Sequence, residues 1–345
     1  MTVLGSALTA FSANADPRWL EFAGKDNLPG AGARVVLISG DEEYRSEESM
    51  PMLAKILSER HGFDCTVLFA IDDATGVINP NNQTNIPGLE ALAKADVMII
   101  ATRYRQLPPE QSRWVHDYVK AGKPVIGLRT ATHAFTGDAE TDGLKWKDFG
   151  LVVLGETWVS HHGKHKVEGA RGVIEAAHAD HPVLQGVKDI FGPSDVYGVK
   201  HLNPEAKILL RGAVTATLDP ESAAVTGEKN NPMMPLAWLR EYQIPNGKTG
   251  RAFCSTMGAA VDFVSEDLRR LLVNAVYEFA GKPVPAKAEV AFVDPFTPTF
   301  YGFLPVEAWT KRAAKPADFA LGKATLPFDA VEVPAGYKLP TRAAK

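Results

Sequence analysis

The sequence predicts an α/β protein, a three-layer sandwich whose mostly parallel central sheet is covered by helices on both faces. Two observations carry this. Apolar runs recur without polar alternation, as in strands buried on both sides, and segments with apolar residues at helical spacing separate them. A third places the functional edge: the run Lys123-Pro-Val-Ile-Gly-Leu-Arg-Thr-Ala-Thr-His-Ala-Phe135 passes straight from strand into a tight polar turn, as at the carboxyl end of a parallel strand.

Taken in order, Arg34-Val-Val-Leu-Ile-Ser-Gly40 is the first such strand, and the next helix aligns Leu53, Ile56 and Leu57 on one face. Asp64 to Ala70 is the second strand, Leu89 to Ala95 a short helix, and Asp96 to Ala101 the third strand. A helix from about Pro108 buries Trp114, Val115, Tyr118 and Val119 and stops at Gly122 before Pro124. Val125 to Leu128 is the fourth strand. Ser265, Glu266 and Asp267 start a late helix whose Leu268, Leu271, Leu272, Val276 and Phe279 face the core. His61, before Gly62, reads as a cation at a helix C-terminus, His116 as a surface residue, and His178 and His181 as turn residues.

At 345 residues the chain is long enough to bury a large core. It divides into a leader (1–30), an α/β domain (31–285) and an extended segment (286–345) packing on that domain. With 37 basic and 41 acidic residues, the net charge of −4 gives no reason to expect a nucleic-acid partner. Two cysteines, Cys65 and Cys254, provide neither a disulfide framework nor a metal-binding thiol pair. Val3 to Phe11 is weakly apolar and Ala13-Asn-Ala15 resembles a cleavage site, but no basic residues precede them. A periplasmic or secreted location is thus as compatible with the sequence as a cytoplasmic one. No segment approaches the ~18 apolar residues of a membrane span.

Three polar groups are candidates for chemistry. At the turn after the fourth strand, Arg129 holds the position where such folds display a nucleophile. A guanidinium stays protonated and cannot attack, so Arg129, with Thr130 and His133, is expected to grip a polar or anionic group. Asp41, Glu42, Glu43, Tyr44 and Arg45 follow the first strand and share that sheet edge, as do Arg103 and Tyr104 after the third. Glu42 or Glu43 there can act as a general base; alternatively one of them pairs with Arg45 while Glu47 and Glu48 complement the helix dipole.

The third group is Glu156-Thr-Trp-Val-Ser-His-His-Gly-Lys-His165. Its histidine spacing joins imidazoles on a helix but not on an irregular loop. A metal held by the imidazoles of His161, His162 and His165 with Glu156 as an added carboxylate, a metal-free polar site with Trp158 as an apolar platform, and a solvated basic loop all stay open. The spacing matches no usual zinc motif, so no metal or other cofactor is assigned.

Gly40-Asp-Glu-Glu-Tyr-Arg45, Gly127-Leu-Arg-Thr-Ala-Thr-His133, His181-Pro-Val-Leu-Gln-Gly186, Asp195-Val-Tyr197, Pro235-Leu-Ala-Trp238 and Gly250-Arg-Ala-Phe-Cys-Ser-Thr-Met-Gly258 together resemble the trehalose-utilisation ThuA-like family over roughly residues 33 to 284. The resemblance implies a flavodoxin-like sheet similar to class I glutamine amidotransferases, and a role in disaccharide or keto-glycoside catabolism. Two departures limit it. Arg129 stands where amidotransferases place their cysteine, which excludes Cys-His glutaminase chemistry. Gly258-Ala259 replaces the Gly-His pair often found in the family, so no role for that histidine transfers.

Two functions follow. In the first, the protein is an isomerase, lyase or hydrolase acting on a keto-sugar or glycoside, with Glu42, Glu43, His161 or His162 moving protons and Tyr44, Arg103, Arg129, Thr130, His133, Trp158 and His165 binding substrate. In the second, it is a binding module for a carbohydrate or a partner. The expected ligand is a small carbohydrate, with no membrane partner and a homo-oligomer as the possible assembly.

Overall fold

A computed structural model describes residues 16–328 and 331–337. The cleavage-site reading of residues 13–15 lies outside them, whereas part of the expected leader of residues 1–30 belongs to the fold: Trp19–Phe22 pairs antiparallel with Cys65–Leu68 at the edge of the main sheet. Ten strands form one sheet: β1 (Trp19–Phe22), β2 (Arg34–Gly40), β3 (Asp64–Leu68), β4 (Val97–Thr102), β5 (Val125–Leu128), β6 (Ala170–Ile174), β7 (Ile190–Gly192), β8 (Lys207–Val214), β9 (Met234–Tyr242) and β10 (Gly250–Ser255). The α-helices are α1 (Ser46–His61), α2 (Pro109–Lys120), α3 (Glu266–Phe279) and α4 (Val306–Arg312).

The strand order is β1-β3-β2-β4-β5-β10-β9-β8-β6-β7. From β3 to β10 neighbouring strands are parallel, and both flanks are antiparallel. Within the parallel block the chain reverses its direction of growth between β2 and β4. That is the flavodoxin-like order, and the crevice beyond the carboxyl ends at such a reversal is where these folds bind ligands.

The continuous apolar runs have a direct cause. In β2, Val35 and Leu37 enter a core shared with α1 and α3, whereas Val36 and Ile38 enter the opposite core with α2. A strand covered on both faces leaves no position for a polar side chain. Each Leu or Ile buried in this way stabilises by about 1.5–3 kcal/mol. The antiparallel flank β6 to β9 was not delineated from sequence. Cys65 and Cys254 lie in β3 and β10, both buried.

Several readings of single residues are corrected. His116 is only 2% exposed. His61 is no helix-end cation: its ring bonds Tyr277 Oη and the Glu289 carbonyl, and burial lowers its proton affinity. Ser265 sits at the N-cap of α3, but its side chain makes no capping bond and instead receives the Phe191 N–H. Glu47 and Glu48 are fully buried in the first turn of α1, where both are met by Arg312 of α4. The chain beyond α3 therefore crosses the start of α1, beside the crevice. Thr299 also donates its backbone N–H to Glu48 at 2.8 Å.

Candidate functional site

The acidic loop after β2 is shaped by its first residue. Asp41 accepts the backbone N–H groups of Glu43 at 2.7 Å and Tyr44 at 2.9 Å, folding the loop back on itself. Thr130 Oγ1, on the turn after β5, donates to the other oxygen of Asp41 and locks the two loops together. Thr130 is fully buried and is thereby a structural tie, not a ligand contact.

Arg129 enters that turn with φ of 45°, a left-handed conformation that aims its side chain sideways under the loops. Only 1% exposed, it does not reach the crevice as a substrate anchor. Its guanidinium donates to the carbonyls of Asp195 at 2.9 Å and Thr256 at 2.7 Å, to Tyr44 Oη at 3.1 Å and to Asp195 Oδ1 at 3.1 Å. It is also stacked between the rings of Tyr44 and Tyr197, 4.3 and 4.1 Å from their centroids. Buried this way, Tyr44 faces Arg129 and not a ligand.

Asp195 collects the histidine loop. Backbone bonds lay residues 160–163 along residues 196–198. Gly163 permits this approach, since a Cβ there would sit 3.1 Å from Asp195 Cβ. His161 Nδ1 then meets Asp195 Oδ2 at 2.7 Å and His165 Nδ1 meets Oδ1 at 3.0 Å. The two imidazoles are 4.4 Å apart without any helix, because a shared carboxylate gathers them. Helical spacing was thus the wrong criterion for this loop. Burial disfavours charge on Asp195, but the hydrogen bonds from His161 and His165 and the charge of Arg129 outweigh it and hold the carboxyl well below its usual range.

The two histidines differ in their partners. His165 lies between two carboxylates, with Nε2 3.2 Å from Glu43 Oε1. A carboxylate only accepts, so two of them on one ring favour the imidazolium, in which both nitrogens donate. Burial opposes that charge, yet the bonds to Asp195 and Glu43 prevail and raise its pKa. His161 meets Asp195 through Nδ1, a contact that sets the orientation of its ring. Its side chain is 34% exposed.

Around these groups runs a rim of rings. Trp158 packs edge-on against His161 at 4.9 Å and Tyr197 at 4.7 Å. His133 lies between Trp158 at 5.2 Å and Tyr104 at 4.9 Å. Burial, then the charges of Arg103 and Arg129, pull its pKa down to about 3, so it is a neutral wall group. Arg103 packs over Tyr104 and donates to Glu42. On the other side, Tyr301 closes on the rings of Tyr44 at 5.1 Å and His165 at 5.3 Å.

Of the expected acid–base residues, Glu43 and His161 meet here, joined by His165. Glu42 is instead held by Arg103 and by Arg105 at 2.8 Å; its bland pairing with Arg45 does not form, since Arg45 donates to the Glu42 and Gly302 carbonyls. Burial and the neighbouring Asp41 raise the pKa of Glu42 against these two arginines. His162 turns away to the Lys229 carbonyl at 2.7 Å. Glu156 is far from serving as a ligand with His161: it accepts the backbone N–H of His201 at 2.9 Å and its ring Nδ1 at 2.6 Å. Sequence reasoning assigned no role to Asp195, Tyr197, Arg105 or Tyr301. Asp195-Val-Tyr197 was visible as a motif, but nothing local in it names its partners.

His161, His165 and Asp195 do place donor atoms within 4.8 Å of one another, the spacing of a metal cluster. The donor set fits a cation poorly. Arg129 already neutralises Asp195, and His165 commits both nitrogens to carboxylates. What remains is a carboxylate–imidazole pair, a pairing suited to abstracting or delivering a proton. Both thiols are buried in strands and stand apart from it.

Comparison with solved structures finds a ThuA-like protein from Bacteroides uniformis at 14% identity and a TM-score of 0.46, covering 78% of this chain and 95% of that one. A ThuA-like protein from Parabacteroides merdae is 16% identical with a TM-score of 0.44, covering 73% and 92%. A cytoplasmic protein of Salmonella typhimurium is 15% identical with a TM-score of 0.42, covering 71% and 98%. No curated protein matches. The family model for ThuA, trehalose utilisation, matches residues 34–277, which include the acidic loop, the Arg129 turn, the histidine loop and Asp195. The chain belongs to the trehalose-utilisation ThuA family.

Proposed function

We propose that this protein is a metal-free acid–base enzyme acting on a keto-sugar or keto-glycoside, with His161 as its base. One observation carries the reading: His161 is bonded to the buried Asp195 through Nδ1 while its side chain is partly exposed, and on this reading Nε2 is the proton acceptor. Membership of a trehalose-utilisation family supports a sugar ligand.

The chemistry follows from the substrate class. A carbonyl acidifies the neighbouring C–H, so the enzyme needs a base at that carbon and a positive or hydrogen-bonding group at the developing enolate oxygen. His161 supplies the base. Asp195 stabilises the imidazolium that forms, and Arg129 behind it keeps Asp195 ionised. Arg103 at the rim supplies positive charge for the oxygen. Trp158 and Tyr104 offer apolar faces for the sugar ring. Arg129 has no direct part, because every contact it makes is internal.

Incubating the protein with 3-keto-trehalose and with trehalose, followed by NMR, tests this. The keto-disaccharide should be consumed and trehalose left unchanged. Binding of the keto-sugar without any change in it would favour a binding module, and transformation of trehalose alone would refute the carbonyl requirement.

A further inference from the structure

The contacts around the site form a closed circuit, and one link comes from beyond the family match. From His161 it passes through Trp158, His133 and Tyr104 to Arg103, then through Phe303 to the 301–303 segment, whose Tyr301 returns to His165. Arg103 is sandwiched, its guanidinium 4.6 Å from the Tyr104 centroid and 4.9 Å from that of Phe303. Phe303 is 59% exposed, among the most exposed large apolar side chains of the described residues.

Chance does not hold Phe303 there. Gly302 donates its N–H to the Glu43 carbonyl at 2.8 Å, and its own carbonyl accepts from Arg45. Leu304 accepts from Asn81 Nδ2 at 2.9 Å. Tyr301 is fully buried against Tyr44 and His165. The backbone is thus fastened on both sides of a ring that remains wet. A phenyl group fixed over an arginine, with much of its surface open to solvent, is a ready face for the C–H side of a sugar or for an aromatic group.

We propose that Phe303, carried by the segment beyond residue 285, forms an outer subsite for the group attached to the keto-sugar through its glycosidic oxygen. The proposal rests on the carbohydrate reading above and adds a specificity determinant to it. Phe303 sets which aglycone is preferred: one with a flat or apolar face gains contact there, and a small one does not. Arg103, held by Glu42 and Tyr104, keeps the ring from collapsing onto the rim.

The test compares calorimetric affinities for methyl and phenyl 3-keto-glucopyranoside, which differ only in the aglycone. The wild-type chain should prefer the phenyl glycoside by about three- to tenfold. In Phe303→Ala the ratio should fall to near one, and in Phe303→Tyr it should be retained. A ratio unchanged in Phe303→Ala overturns the subsite while leaving the keto-sugar reading intact, as does its loss in a folded Phe303→Tyr. If neither glycoside binds the wild type, the keto-sugar reading fails and the subsite with it.

Discussion

Asp195 and Arg129 form a buried ion pair at 3.1 Å, and the exposed part of the site is built on it. The carboxylate orients His161 and His165, and the guanidinium makes that carboxylate affordable in a buried place. The arginine at the turn after β5 is therefore a positioning residue.

Substitution of Arg129 should appear first as lost stability. Arg129→Met removes the buried guanidinium from Asp195, leaving only its histidine partners, and should cost on the order of 3–5 kcal/mol. Arg129→Lys keeps the charge but not the planar set of donors, and should cost ~1.5–3 kcal/mol. Denaturant titration measures both. A lysine variant of wild-type stability with a selective loss of sugar binding would restore Arg129 as a substrate anchor.

The thiols should be silent. Burial pushes both Cys65 and Cys254 well above the ordinary thiol pKa, so neither offers a thiolate at neutral pH. Native protein should resist alkylation and release no ammonia from glutamine. Ammonia release abolished by Cys254→Ala would contradict the loss of amidotransferase chemistry.

Tag-free protein should carry clearly less than one metal ion per chain by elemental analysis, for the reasons of charge and hydrogen bonding given above. One zinc or manganese per chain, lost in His161→Ala, would show that the His161, His165 and Asp195 donors bind a cation after all.

His133 gives a pH signature. Its pKa falls from 6.5 unfolded to about 3 in the fold. The unfolded chain then takes up a proton that the folded chain refuses, so the stability this group contributes is complete above pH 6.5 and declines as pH falls towards 3. His165 acts in the opposite sense: its pKa is raised, so its contribution is complete below the unfolded value and is lost as pH rises through the folded one. Melting temperature measured against pH should show a shallower acid limb in His133→Phe than in the wild type. Identical acid limbs would mean that His133 is protonated in the folded state.

The parallel strands and α2 were legible because burial on both faces forces uninterrupted apolar runs, as in β2 and β5. The antiparallel flank was not: Lys207–Val214 and Met234–Tyr242 mix charge, Gly and Pro with apolar residues. At the site, sheet-edge position brought forward Glu43 and Arg103, which lie beside His165 and Tyr104, since topology alone places those loops. It could not tell a crevice residue from one buried beneath it, which is why Arg129, Tyr44 and Thr130 were read as ligand contacts. Asp195 escaped because its meaning lies in residues 30 and 34 positions away, a relation that no local spacing encodes.

The central claim is that His161 Nε2, set by Asp195, removes the proton beside a sugar carbonyl. Exchange of that proton for solvent deuterium, followed by NMR on 3-keto-trehalose in heavy water, tests it most directly. Wild-type protein should catalyse the exchange, and His161→Asn should slow it on the order of 10²–10⁴-fold while still binding the sugar. Exchange at the wild-type rate in His161→Asn, or none in a wild-type protein that binds the keto-sugar, would contradict the account.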